Sequence, residues 1–475
     1  MRRLPNESHE LSSRQATDER NSPPSAEENI ARLRERQNRY VPKMMRLCAE
    51  GHPYYGPQMK KLGLSAADFR TVEDLCKLPP LPKREYANDP EAFKLDLEGV
   101  SDLASEETTL ADIVYTAGST SKPAPFYDTV HDRFARVQLM GRAAAIGGVG
   151  PDDTVMNIFP LSSIPHQGFL SASWGAMASG AKLLTGLTGR PYPDIPVHKR
   201  MDEAIDIAES QRATVLWGIT AYVRRFVMRA QELGKDFSSV RLAMVMGEPC
   251  PPFMREDIRS RLMEMGSEAP TTNNGYGLTE TQGPAMECVE LGGMHQPSPE
   301  QFFFEVIDRA TGEPVPDGEP GMMLVSHLNR RGTVLLRYVG GDVVTLTHET
   351  CPHCGRTEPR FLGTPRRADG FTKVKGTLIN LGSLQDELAA LLRRGVSEYQ
   401  IVLTTEDRSD PFSQDAMLLR VACASEDQDR VGQEVKAVVR GAVEITPEIE
   451  YLPADGFGEI AGGYKFKRVI DERGR

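Results

Sequence analysis

The stretch ATVLWGITAYVRRFVMRAQELGKDFSSVRLAMVMGEP, Ala213 to Pro249, sets two short apolar runs on either side of a helix-like segment. Apolar run, helix, apolar run is the pattern of a βαβ unit, whose crossover helix brings the second strand back parallel to the first. The alternation extends outward. ADIVYT (111–116), DTVMNIFPL (153–161) and AKLLTG (181–186) read as further strands, and DEAIDIAESQR (202–212) as a helix. The spacing predicts an α/β fold with a largely parallel sheet over the region from about 110 to 300.

Downstream the pattern changes. FFFEVID (302–308), GMMLVSHL (321–328) and TVLLRYV (333–339), separated by Gly- and Pro-rich turns, read as a strand-rich portion. Beyond PRRADGF (365–371) the chain gives a helix, LQDELAALLRR, and two strands, YQIVLTT and AMLLRVACA, which predict a small α+β C-terminal domain. The expected division is therefore a disordered tail (1–25), too polar to offset its ordering entropy, a large N-terminal domain (26–366) and a small domain (370–475). Ser25 is a plausible cap for the first helix. No internal repeat of fixed period is visible.

At 475 residues the chain exceeds what one compact core organises. Its 56 Lys and Arg against 67 Asp and Glu leave a net charge of -11, which argues against a general nucleic-acid binder, since such a protein needs basic surface to release counterions. No apolar run approaches the roughly 20 residues that cross a bilayer, and the N-terminus has no apolar signal core, so a cytoplasmic protein is expected. Seven cysteines without a secretion signal do not suggest disulfides, but three of them fall between Cys288 and Cys354.

Three segments carry candidate chemistry. TAGSTSKPA (116–124) offers Thr116, Gly118, Ser119, Thr120, Ser121 and Lys122 as a hydroxyl-rich, mobile anion loop. It is not a Walker loop, because Lys122 is followed by Pro123, which has no N–H and disfavours a helical Lys122. NNGYGLTETQGPAMEC (273–288) places Gly275 before Tyr276, a ring able to stack on a base, then Thr279 and the carboxylate of Glu280, suited to Mg²⁺. RYVGGDVV (337–344) contains Asp342, which can accept two ribose hydroxyls.

In order and in sequence these segments resemble the motifs of the adenylate-forming superfamily, in its phenylacetate–CoA ligase-like branch. TAGSTSKPA is similar to that family's phosphate loop, YGLTE to its adenine and Mg²⁺ segment, RYVGGD to its ribose clamp, and RADGFTKVKG to its domain hinge. The resemblance implies that Thr120 and Lys122 hold the β- and γ-phosphates. Gly247, Glu248 and Pro249 would line the adenine site, Asp342 would bind ribose with Arg367 close to it, and residues 367–369 would form a hinge centred on Asp369. It implies a catalytic lysine at Lys465, with Lys467 as competitor, and a histidine, His166, that orients the substrate carboxylate. The implied reaction uses ATP and Mg²⁺ to make an acyl-adenylate, then transfers the acyl group to CoA, or to an amine or a carrier-protein thiol. Relatives are often homodimers. KVKGTLINLGSLQDEL departs from the family's usual GVNVFPSQIE, at the segment expected to border the acceptor tunnel.

Two further sets follow. Cys351 and Cys354 have CxxC spacing, and with Cys288 and His295 they make a Cys₃His set suited to a closed, structural Zn²⁺, His353 being the alternative nitrogen. Phe159, Ile164, Phe169 and Trp217 are candidates for the acid pocket, their aromatic character favouring a flat aryl or cyclic acid.

Overall fold

The computed structural model describes residues 23–115, 124–161, 167–188, 199–368, 370–374, 377–406, 414–443, 445–453, 456–457 and 467–473. Its centre is a twelve-stranded sheet. Lys182–Thr185, Thr154–Asn157, Val215–Ile219, Leu242–Met246 and Thr271–Tyr276 lie side by side in that order, all parallel. Every residue of Val215–Ile219 and Leu242–Met246 is buried, which requires helices on both faces of the sheet. Alternate side chains show which helices these are. Trp217 points to Gly175 on the helix Gln167–Ala178, whereas the Cβ position of Gly218 faces Val223 on the helix Thr220–Glu232. Each fully buried Val or Leu in these strands contributes about 1.5–3 kcal/mol.

The strand-rich portion is not a separate layer. Ala285–Glu287 pairs antiparallel with the end of Thr271–Tyr276, and Met294–His295, Arg360–Arg367, Tyr338–Thr347, Pro320–His327 and Phe302–Ile307 extend the same sheet. Two expected strands are corrected. ADIVYT is extended, as Leu110–Tyr115, but it pairs antiparallel with Pro125–Thr129 in a separate two-stranded sheet and does not join the parallel one. TVLLRYV was expected to be extended throughout, but the strand begins at Tyr338. Before it, Val334, Leu335 and Leu336 are buried with their N–H groups donated to the Phe93 carbonyl, His327 Nδ1 and the Tyr55 hydroxyl, so local partners replace a neighbouring strand.

At the N-terminus Ser25 caps the helix Ala26–Asn38 in a reciprocal box with Glu28. The C-terminal portion is α+β. Glu448–Tyr451, Asp415–Cys423, Val396–Thr405 and Val469–Asp471 form a four-stranded sheet, accompanied by the helices Leu381–Ala389 and Gln428–Val443. Among the described residues no helix is long and apolar enough to cross a membrane.

Candidate functional site

In an open α/β sheet the usual ligand position lies outside the carboxyl ends of the parallel strands. Gly275 ends one of these strands where Ala285–Glu287 crosses it, and any Cβ there would collide with Met286 Sδ and approach the Ala285 carbonyl at 3.3 Å. Tyr276 follows and donates its hydroxyl to Asp342 Oδ2 at 2.8 Å. Burial, and then the Asp342 carboxylate, hold the Tyr276 phenol well above its ordinary pKa, so it remains a donor. Asp342 sits opposite Arg367 in the strand register, and Arg367 Nη1 lies 3.4 Å from both carboxylate oxygens while donating to the Gly340 carbonyl at 3.0 Å. Gly341, at φ +84°, allows that close passage: its absent Cβ would lie 3.5 Å from the guanidinium. Asp342 is buried and Arg367 half-exposed, so the pair sets a carboxylate able to take hydroxyl donors beside a partly exposed cation.

Beyond Tyr276 the chain turns through the 3₁₀ segment Thr279–Thr281, which carries Glu280. Gln282 closes the turn at φ +65°, its Nε2 donating to the Thr279 carbonyl at 2.6 Å and its Oε1 accepting from Arg136 Nε at 2.8 Å. Arg136 is itself fully buried and ion-paired with Asp128, which also pairs with Arg330 at 2.7 Å. Such a buried network holds its members rigidly because each would be costly to leave unpaired. Tyr338, at the start of the strand that carries Asp342, donates its hydroxyl to Glu280 Oε1 at 2.7 Å. The structure thus brings Tyr276, Glu280, Asp342 and Arg367 together. Tyr338 lies within the quoted RYVGGD motif and joins them without having been singled out.

Glu248 accepts the Ala221 N–H through Oε2 at 3.0 Å, and its carbonyl accepts the Thr220 hydroxyl at 3.0 Å, tying the turn at Gly247, Glu248 and Pro249 to the start of the Thr220–Glu232 helix. Gly247 takes φ +84° there. Lys467 has an exposed side chain, and its carbonyl accepts from Gln400 Nε2 at 2.7 Å. Arg468 beside it donates to Glu398 at 2.6 Å, covers the Tyr399 ring at 4.6 Å and feels the charge of Glu248, a contact the sequence did not suggest. Of the acid-pocket candidates, Phe159 and Trp217 are buried and Phe169 is partly buried, its carbonyl accepting from Asn157 Nδ2 at 2.9 Å. Thr116, Gly118, Ser119, Thr120, Ser121, Lys122, Ile164, His166, Asp369 and Lys465 lie outside the described residues.

Cys288, His295, Cys351 and Cys354 converge, their ligand atoms all within 4.8 Å of one another. Cys288 Sγ is 3.9 Å from Cys351 Sγ, and Cys354 Sγ is 3.5 Å from His295 Nε2. A tetrahedral zinc with bonds of about 2.3 Å to sulfur and about 2.0 Å to nitrogen puts two sulfurs about 3.8 Å apart, and sulfur and nitrogen about 3.5 Å apart. The cluster fits that ion. His353, the other candidate nitrogen, is not in the group. The knuckle between the Cys351 and Cys354 positions is closed by the Gly355 N–H on the Cys351 carbonyl at 2.9 Å, with Gly355 at φ +71°. Burial, followed by Arg356 and Arg360, pushes His295 down to about 4, which leaves it neutral and available as a ligand.

The fold and the family it matches are those of an adenylate-forming α/β enzyme. Residues 64–330 match the family model for the AMP-binding enzyme, and the chain belongs to that family. It is 25% identical over 462 residues to a phenylacetate-coenzyme A ligase of Thermus thermophilus, covering 93% of this chain and 97% of that protein. It is 23% identical over 433 residues to the phenylacetate-coenzyme A ligase of Escherichia coli, covering 89% and 91%. Among solved structures it resembles 2-hydroxyisobutyryl-CoA ligase in its postadenylation state, with a TM-score of 0.74 and 19% identity over 95% of this chain and 91% of that one.

Proposed function

We propose that this chain is an ATP-dependent, AMP-forming acid–CoA ligase. A carboxylate attacks the α-phosphate of ATP, pyrophosphate leaves, and the thiol of CoA then attacks the acyl carbon and expels AMP. The observation that carries this reading is the convergence of Tyr276, Asp342, Arg367 and Glu280 at the strand ends, in a chain that matches phenylacetate-coenzyme A ligases over nearly their full length.

In this reading Asp342 accepts the ribose hydroxyls, Arg367 pairs with that carboxylate, and Tyr276 with the Gly247–Pro249 turn borders the base. Glu280 presents carboxylate oxygen to Mg²⁺, which when bound neutralises charge on the phosphates. Thr120 and Lys122 of the loop 116–124 hold the β- and γ-phosphates, and Lys465 or Lys467 stabilises charge growing at the α-phosphate. Rotation about residues 367–369 between the two half-reactions exchanges the groups facing the adenylate. Phe159, Phe169 and Trp217 favour an aryl or cyclic acid. Zn²⁺ occupies the Cys288, His295, Cys351 and Cys354 set, where four protein ligands leave no open position and give it a stabilising role.

Carboxylate-dependent exchange of labelled pyrophosphate into ATP, run across a panel of acids, tests the first half-reaction. Aryl or cyclic acids are expected to support exchange, and its absence with every acid would remove the proposal. Supplying CoA and candidate amines separately and weighing the products then tests the second: a CoA thioester is expected, and an amide alone would replace the acceptor.

A further inference from the structure

Glu280 is held at two atoms by two groups that the proposed reaction does not itself use. Its main-chain carbonyl lies 2.7 Å from His327 Nε2. The tautomer is fixed by the other nitrogen, because His327 Nδ1 lies 3.0 Å from the Leu335 N–H and must accept it, so the ring proton is on Nε2 and is donated to Glu280. The imidazole has no exposure and is met edge-on by the rings of Phe126 and Phe302, at 6.0 and 5.7 Å. Burial, then the positive charge of Arg330, pushes its pKa down to about 3, so it stays neutral throughout the physiological range.

The carboxylate is held by the Tyr338 hydroxyl on Oε1. Tyr338 is fully buried, and burial followed by the Glu280 charge keeps its proton in place far above the ordinary phenol range. Oε2 forms no hydrogen bond among the described residues. A carboxylate with one oxygen engaged by a fixed donor has lost its rotational freedom, and its other oxygen points in one direction.

We infer that His327 and Tyr338 are positioning residues for Glu280: the imidazole fixes the main chain of the turn, and the phenol orients the carboxylate so that Oε2 faces the divalent cation. The inference rests on the reading of Glu280 as the cation's carboxylate. Outer partners of this kind keep a ligand from spending its binding energy on being ordered, and removing one typically costs 10- to 100-fold in metal affinity. His327 and Tyr338 end and begin consecutive strands, Pro320–His327 and Tyr338–Thr347, so the two posts are set by the sheet and not by the turn they support.

The test uses Mn²⁺ as the cation, with ATP and no acid, and reads the affinity of the full chain for Mn²⁺–ATP by electron paramagnetic resonance. Tyr338→Phe removes one oxygen and is expected to weaken Mn²⁺–ATP about tenfold. In pyrophosphate exchange it should raise the Mg²⁺ needed for half-maximal rate while leaving the KM for the acid unchanged. His327→Leu is expected to show a similar loss, and His327→Gln, whose amide can donate to the Glu280 carbonyl, to recover most of it. A folded Tyr338→Phe protein with wild-type Mn²⁺–ATP affinity would overturn the inference, as would equal losses in His327→Gln and His327→Leu. Glu280→Gln separates the two levels. If it leaves Mn²⁺–ATP affinity unchanged, the reading of Glu280 falls; if it weakens binding and Tyr338→Phe does not, only the positioning role falls.

Discussion

Among the described residues, His52 and His327 are buried with both ring nitrogens hydrogen-bonded. His52 Nδ1 accepts the N–H groups of Tyr54 and Tyr55 at 3.1 Å, and its Nε2 faces the Val334 carbonyl at 3.2 Å, in the same arrangement as His327. Burial pushes His52 down to about 4. An unfolded histidine titrates near 6.5, so between about 6.5 and 4 the unfolded chain binds a proton that the folded chain refuses. Stability therefore rises with pH across that window and is lost as pH falls through it, by about 2 kcal/mol for His52 between pH 7 and pH 5. His52→Gln, whose amide can accept and donate hydrogen bonds without titrating, should flatten that slope. Urea midpoints at the two pH values measure it, and an unchanged slope would remove His52 as its source. At this scale the sequence spoke clearly where chemistry restricts the residue type, as at Tyr276, Glu280, Asp342 and the four zinc candidates. It was silent on His327 and Tyr338, because a lone histidine or tyrosine at the end of an apolar strand looks the same whether it supports a carboxylate or fills the core.

Among the elements, the helix Gln167–Ala178 packs closely on the strand Val215–Ile219, which carries Trp217 of the proposed acid pocket. A Cβ at Gly175 would lie 2.6 and 2.9 Å from Trp217 Cη2 and Cζ3 and 3.3 Å from the Met140 carbonyl. Alanine is the better helix former by about 1 kcal/mol, yet overpacking of this kind costs about 1–3 kcal/mol, so Gly175→Ala should destabilise. It is expected to lower the melting temperature by circular dichroism and, by displacing Trp217, to raise the KM for the acid while leaving that for ATP unchanged. A stabilised variant with unaltered acid KM would show that the ring has room to move and does not border the substrate. The parallel strands were legible because strands covered on both faces are unbroken apolar runs. The helix Gln428–Val443 was not read: its buried positions are Val431, Gly432, Val435, Val439 and Val443, residues that favour strands or turns in isolation and are held helical by packing. TVLLRYV misled for the converse reason, since its apolar residues are buried without a strand partner.

For the whole molecule, the Cys₃His cluster joins regions distant in sequence. Cys288 and His295 belong to the chain just beyond Glu280, and Cys351 and Cys354 to the turn linking the strand of Asp342 with the strand ending at Arg367. Elemental measurement on the purified chain should find close to one zinc per molecule, and its removal by a chelator should lower the thermal midpoint of a folded protein. A chain with little zinc and an unchanged midpoint would leave the four residues as reduced thiols and a core histidine. The continuity of the sheet from parallel to antiparallel strands could not be read from the sequence, because pairing between distant segments leaves no local signal in either. That continuity has a consequence for how these groups are spaced. Tyr338 and Asp342 stand on one strand, four residues apart across a bulge where its pairing with Pro320–His327 slips, one serving Glu280 and the other Tyr276. In the proposed reading that strand sets the nucleotide contacts, whereas the proposed acid pocket is borne by other elements, so a change of acid would leave the proposed ATP contacts in place.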